Sequence, residues 1–419
     1  MKYFRFLVFG NAISAYGSYL NMLALNLFAY ELTKSALFSG LLLAVRLAAG
    51  FLTGFMAGRL VHHRRRKLVM VTAEVSQAVA LAVLIAAPSG ARKEILYGLA
   101  VVTGVGGTIS QVFLRAIVPD IVGQDLRARA NSLLVTGRSL AMVLGFASAG
   151  VVLGWAGYRT AFIVDAASFV VSAAILTALP ITGPKTDAQA EEDAPESFVA
   201  AQRTAVRFLW AAPVLLPMIA IRAIDGLGSS SHNVALPVYS SMLDPHHPAA
   251  FMSGFWVLWA IGNIAFQQFL SRYSRRTGRT FEERAFALGT CLMSAAFILA
   301  FCGFPPAVTA VTALVAGAAD GFTEVSYISR LQSVPDDRRG YVFGFSATVE
   351  NLGVGVGMVL TSAALEFLPP LDVVAAAHGT AIVMALAFLA RLVRAGRRPD
   401  SASLRRSRAS AIPPVEEVR

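Results

Sequence analysis

Read for polarity alone, the chain alternates between apolar stretches of about twenty residues and short clusters of charge. Twelve apolar segments stand out, the first six at roughly 6–30, 37–60, 67–88, 95–118, 132–154 and 161–181. The second six run at roughly 211–241, 251–270, 285–303, 307–329, 342–365 and 372–392. At 1.5 Å of rise per residue, about twenty helical residues cross the ~30 Å hydrocarbon core of a bilayer. Gly and Pro interrupt several segments, as membrane helices tolerate. The pattern predicts an all-α polytopic membrane protein with twelve transmembrane helices. The opening MKYFRFLVFG has the basic start of a signal peptide, but apolar character continues to about Tyr30 and more spans follow. The segment is therefore expected to stay as the first span.

Composition agrees: of 419 residues 56% are hydrophobic and only 15% charged, with a mean hydropathy of +0.62. A soluble domain carries nearer a quarter charged residues. If the N-terminus is cytoplasmic, 28 of the 36 Lys and Arg fall on the inner side, and only Lys34, Arg92, Lys93 and Arg159 on the outer. That bias predicts both termini inside; Ala- and Arg-rich usage with few Lys points to a bacterium, whose inner membrane is the expected location. It also accounts for the net charge of +11 without nucleic acid. The basic run in GRLVHHRRRK, Gly58 to Lys67, reads as an inner loop between spans 2 and 3.

The chain looks doubled. Residues 182–210 carry the acidic cluster Asp187, Glu191, Glu192, Asp193 and Glu196, and separate two sets of six spans. The reading is a six-helix bundle over 1–181, a solvated cytoplasmic linker over 182–210 and a second bundle over 211–392. A basic, Ser-rich disordered tail over 393–419 follows, attracted to anionic lipid. Each half has a basic loop after its second span and the tripeptide Val-Pro-Asp after its fourth, at 118–120 and 334–336. A duplicated architecture of this kind predicts pseudo-two-fold symmetry and a substrate site between the halves near the bilayer midplane.

These features resemble the major facilitator superfamily. Gly58, Leu60, Arg66 and Lys67 match its loop between spans 2 and 3, while His62 and His63 stand where the family has Asp and Arg. The stretches 12–36, 116–134, 158–176 and 331–344 look like the superfamily's proton-antiport branch of drug and siderophore exporters. The span 5 signature differs, with Gly145-Phe146 for Gly-Pro and Gly150 and Gly154 kept. The resemblance implies a monomeric secondary transporter that exports a small molecule against inward proton flow. Uptake or uniport by the same fold is the alternative. It also implies that the loop helps lock the cytoplasmic side, a role carried here by Gly58, His62, Arg66 and Lys67. His62 cannot supply the fixed negative charge of the usual lock, though a histidine titrates near neutrality.

A charge at the centre of a membrane helix costs about 3 kcal/mol on insertion scales, so each calls for a reason. Arg46 lies midway along span 2 and reads either as an anion or carboxylate partner or as half of a structural ion pair. Arg222 and Asp225 in span 7 are three apart, on one face, and pair locally or reach across the bundle. The following GLGSSS predicts a loosened helix, with Asp225 the first candidate for proton coupling. Asp320 and Glu324 in span 10 share a face, where two like charges favour sharing a proton; pairing of Glu324 with Arg330 is the plain alternative. Glu74, Arg115, Arg138 and Glu350 lie about two turns from the cytoplasmic face, a depth that predicts gating salt bridges. Asp165 reads as a helix-end residue. The polar residues of span 1, from Asn11 to Asn26, are candidates to line a cavity.

No catalytic or metal constellation emerges. Cys291 and Cys302 lack ligand spacing, five histidines read as loop or helix-end residues, and His378 stands alone. No Walker motif is present, so an ion gradient is the expected energy source, with no cofactor.

Overall fold

The structure, a computed structural model, describes residues 2–60, 66–123, 126–179, 198–210, 212, 214–278 and 283–396. Its α-helices are α1 (Lys2–Thr33), α2 (Ala36–Leu60), α3 (Arg66–Ala86), α4 (Arg92–Val122), α5 (Arg127–Ala178) and α6 (Phe198–Trp210). The rest are α7 (Leu215–Leu243), α8 (Pro248–Thr277), α9 (Glu283–Ala300), α10 (Pro306–Gln332), α11 (Asp336–Ala364) and α12 (Pro370–Gly396).

Local chemistry sets several boundaries. Pro248 and Pro306 sit in the first turns of α8 and α10, where the missing N–H is no loss, and Gly278 closes α8 in the left-handed region at φ 67°. Within α5, Gly157 adopts φ 72° and ψ 178°, a conformation open to glycine alone, and bends one continuous run into two spans. The twelve spans are therefore α1 to α4, the two arms of α5, and α7 to α12. By length and apolarity alone, nine of the described helices qualify; α1 does not, and α7 does so only together with α6. Those two are the polar spans at equivalent positions of the two halves.

The pairing of helices gives the symmetry. In the first half α1 packs on α5, α2 on α4, and α3 on both α4 and α5. In the second, α7 packs on α11 and α12, α8 on α10, and α9 on α10 and α12. Adding six to a span number maps one set onto the other. The halves meet through α5 with α8 and α2 with α11, contacts that the same operation exchanges. Small residues set both approaches: a Cβ on Gly150 would lie 2.9 Å from Ser253, and one on Gly40 would collide with Ser362.

Those close contacts lie toward the bundle end where α2 and α8 begin. Aromatic pairs pack the first half at that end, Phe28 with Tyr158 and Phe162, and Phe38 with Tyr97. Glu366, just past α11, accepts from the Ser35 hydroxyl and the Leu37 amide at 2.8 Å each, tying the second half to the N-terminus of α2. At the opposite end the halves part.

Within the stretch expected to link the halves, residues 198–210 form α6, which buries Ala205 and Leu209 and packs on α11. Gln202 of α6 donates to Thr348 at 3.4 Å. Residues 180–197 and 397–419, and His62 with them among 61–65, lie outside the described residues. The last span also runs past 392, to Gly396.

Candidate functional site

A cavity of about 1310 Å³ opens between the halves at the end where α6 lies. α2 and α4 form one wall and α11 with α6 the other; Asn233 of α7 and Met358 of α11 reach its depth. Glycines shape the first wall. A Cβ on Gly104 would strike the backbone of Arg46, and one on Gly50 would lie 2.8 Å from the Thr108 hydroxyl, so α2 and α4 pack closely with a smooth face. Arg46 and Arg115 both line the cavity. From α1 only Met22 reaches it, so the polar residues of that span are not its lining as expected. Asn21 and Asn26 are buried in the bundle instead.

A second feature sits in the C-terminal half. The Arg222 guanidinium meets three carboxylates: Nη1 bonds Asp225 at 2.9 Å, and Nη2 bonds Glu324 at 2.6 Å and Glu350 at 3.1 Å. The Tyr327 ring lies 5.5 Å from the guanidinium carbon, and its hydroxyl is 2.6 Å from Ser346. The side chains of Arg222 and Asp225 are 10% and 5% exposed, whereas those of Glu324 and Glu350 are 37% and 36% exposed. One oxygen of Asp225, Oδ1, has no hydrogen-bond partner among the described residues. Glycine makes the cluster possible. A Cβ on Gly353 would collide with the Ala223 carbonyl and one on Gly226 would lie 3.2 Å from that of Glu350, so α7 and α11 approach closely enough for Glu350 to reach Arg222.

The structure thus joins Arg222, Asp225 and Glu324, three of the five residues expected in a coupling or substrate set, and adds Glu350, which depth alone had put in a gate. Asp320 does not pair with Glu324: it accepts from Asn263 of α8 at 3.2 Å. Arg330 is no partner of Glu324 either, because Glu283 holds it at 2.9 Å. Arg46 is not among them: it lines the cavity from α2. The stretch GLGSSS is not loosened. α7 stays helical throughout, Ser230 and Ser231 bond back to the carbonyls of Gly226 and Gly228, and the glycines serve close packing.

The remaining gate candidates take other partners than expected. Glu74 forms no ion pair among the described residues; it is buried and accepts from Ser14 at 3.1 Å and Ser110 at 2.8 Å. A void of about 20 Å³ adjoins it, about the size of one water. Arg138 donates to the Tyr19 hydroxyl at 3.1 Å and Gln111 at 3.3 Å, not to a carboxylate. Lys67 donates to the carbonyls of Thr177 and Leu179 at 2.6 and 2.7 Å, capping the C-terminus of α5, where a cation also meets the negative helix end. Arg66 is buried beside it at the start of α3. Gly58 lies in the last turn of α2. Asp165 is no helix-end residue: it is buried inside the first half and receives the Ser168 hydroxyl at 3.4 Å.

Sequence reasoning missed one group entirely. His378 Nε2 lies 3.1 Å from His232 Nδ1, and both rings are buried. Phe297 stacks on His232 with centroids 3.8 Å apart, and Ser294 lies 3.2 Å from His378 Nδ1. On the other side Asn233, a cavity residue, lies 3.4 Å from His232 Nε2. His378 has company, and His232 is mid-helix. A Cβ on Gly228 would press within 2.9 Å of the His378 ring, so that glycine was the available signal.

The symmetric halves with a cleft between them have known counterparts. A sequence profile of the Major Facilitator Superfamily matches residues 7–358. The chain belongs to that superfamily. It is a multi-pass membrane protein and a secondary transporter of the superfamily, not an enzyme. Among solved superfamily-like structures it resembles the nucleoside transporter NupG, at 14% identity and TM-score 0.72, covering 93% of this chain and 99% of that one. It also resembles the peptide transporter POT in complex with sulfate, at 15% identity and TM-score 0.67, over 94% and 95% of the two chains. A third is a bacterial homologue of the iron transporter ferroportin in an inward-facing state, at 16% identity and TM-score 0.66, over 93% and 98%. Likeness at such low identity concerns the fold alone. No curated protein matches the chain.

Proposed function

We propose that this superfamily member is a proton-coupled exporter of amphiphilic small molecules, working as a monomer by alternating access in a bacterial inner membrane. The distribution of Lys and Arg supports a cytoplasmic location for both termini, and the end of the bundle carrying α6 is then cytoplasmic. On that orientation the cleft faces inward, and the end closed by Glu366 and the Gly40 and Gly150 contacts faces out.

The observation that carries proton coupling is one guanidinium shared by three carboxylates. Fully ionised, the four groups sum to a charge of about −2 within a membrane-embedded bundle, and binding protons relieves the repulsion. Two of the carboxylates are over a third exposed, so water can deliver and remove the proton. Asn351 and Ala347, neighbours of Glu350 on α11, line the substrate cavity, so a change of charge at Glu350 is felt by the wall that contacts the cargo. Asp225 is the buried coupling carboxylate in this reading. The predominantly apolar cavity with a few polar groups suits an amphiphile. Export, as against uptake, rests on the likeness of stretches such as 116–134 to the exporter branch.

The test is accumulation of fluorescent amphiphiles in a bacterium stripped of its own efflux pumps, with and without a protonophore. Wild type is compared with Asp225→Asn. Lower accumulation that the protonophore restores, and that the variant loses, is the expected result. Raised accumulation in the wild-type strain would make the protein an importer. Export indifferent to the protonophore would remove proton coupling.

A further inference from the structure

The cavity and the carboxylate cluster share no residue, and their charges are opposite in sign. The charged residues among the described lining of the cavity are Arg46 and Arg115; no Asp or Glu joins them. Neither guanidinium forms an ion pair or a side-chain hydrogen bond with any described residue. The carboxylate whose field reaches Arg46 is Asp165, but it lies beyond ion-pair distance and is bonded to Ser168. Arg46 lies fourteen residues before the end of α2, about 21 Å in, and Arg115 seven residues before the end of α4, about 10 Å in. One cation is therefore deep in the cleft and the other near its mouth. Placing a charge that deep costs on the order of 3 kcal/mol unless something balances it. Four intramembrane carboxylates of the other half, Asp225, Glu324, Glu350 and Asp320, are spent on Arg222 and Asn263.

From this we infer that the cargo is an organic anion, an amphiphile whose carboxylate docks on Arg46. Arg115, nearer the opening, draws the anion inward, as a single-sign cleft with low-dielectric walls concentrates its counter-ion. A guanidinium presents two parallel N–H donors to a carboxylate, which fixes orientation as well as charge. Leu43, Leu47, Phe51, Val112 and Met358 offer apolar surface for the rest of the molecule. Asn233, Thr348 and Asn351 face it with neutral polar groups. This inference deepens the transport reading and takes from it that the cavity is the cargo site.

The experiment is equilibrium binding to the purified full chain in neutral detergent at pH 7.5, followed by dansyl fluorescence. Three probes share one body: dansylglycine is an anion, dansylglycinamide is neutral and dansylethylenediamine is a cation. The anion is expected to bind at least about tenfold tighter than the amide, the cation weakest, and added salt should narrow the gap. Arg46→Gln should erase the preference while Arg46→Lys keeps part of it, which separates charge from fold. Failure of the anion to bind, equal affinities, or a preference that survives Arg46→Gln with Arg115→Gln overturns the inference. No gradient is applied, so the result is independent of coupling and direction. Anion-selective binding alongside protonophore-insensitive transport would retire the coupling proposal and leave the anion site standing.

Discussion

Replacing Arg222 by Gln removes the one positive charge from a group of three carboxylates, and the geometry ranks the consequences. The bond to Asp225, 2.9 Å long with both side chains nearly inaccessible, is a buried pair; breaking such a pair from one side costs about 3–5 kcal/mol. The bonds to Glu324 and Glu350 are shorter or similar, at 2.6 and 3.1 Å, but those carboxylates are over a third exposed. Water screens them, and each is worth about 0.5–1 kcal/mol. Arg222→Gln should therefore destabilise by roughly 4 kcal/mol, mostly through stranding Asp225. The partner exchange follows: adding Asp225→Asn should recover about 2 kcal/mol or more, while adding Glu324→Gln should recover under about 1. The assay is urea unfolding in detergent micelles, followed by tryptophan fluorescence, on the wild type, the three single variants and the two doubles. If Arg222→Gln is neutral, or Glu324→Gln rescues it better than Asp225→Asn, the ranking by burial is wrong.

Other outcomes follow from particular contacts. Gly353→Ala should destabilise by about 1–3 kcal/mol and lower the unfolding midpoint, because the new methyl meets the Ala223 backbone and α7 and α11 must separate; Gly344→Ala, with open space around it, is the neutral control in the same melt. Glu366→Ala should loosen the sealed end, shifting the population by about 1 kcal/mol, or roughly fivefold, toward the open-outward form. Labelling of a cysteine placed at Phe38 would report it, and unchanged labelling would rule it out. His378→Ala empties a buried ring site and strands His232 Nδ1, for a cost of about 2–4 kcal/mol in thermal unfolding; an unshifted melt would mean the histidine pair is not structural. Lys67→Met should free the last carbonyls of α5 and cost about 1 kcal/mol, read by hydrogen exchange at 175–179.

Much of the protein was legible one residue at a time. Span number, approximate boundaries and doubling follow from the hydrophobic effect and the thickness of a bilayer, both local in sequence. Apolar runs of the needed length leave little other choice once backbone groups must be satisfied inside lipid. The positions of intramembrane charge are equally visible, since each departs from its surroundings. The break between spans 5 and 6 was visible as the gap between 154 and 161, but that one residue, Gly157 at φ 72°, makes the bend was not.

Partnership was not legible. Depth along a helix put Glu350 with Glu74 and Arg138, yet Glu350 joins Arg222 while Glu74 is held by serines and Arg138 by a tyrosine and a glutamine. The difference lies in which face of α11 meets α7, and that is set by where Gly226 and Gly353 let two backbones approach. His232 and His378, 146 positions apart, meet only because α7 and α12 pack side by side with Gly228 leaving room. The same holds for residues 198–210, whose helix sets Ala205 and Leu209 against α11. Sequence by itself determined what must be buried in the membrane, because hydrophobicity belongs to each segment alone. Only the tertiary structure decided which charges cancel and which, like Arg46 and Arg115, are left facing the cleft, because cancellation depends on distances between helices far apart in the chain.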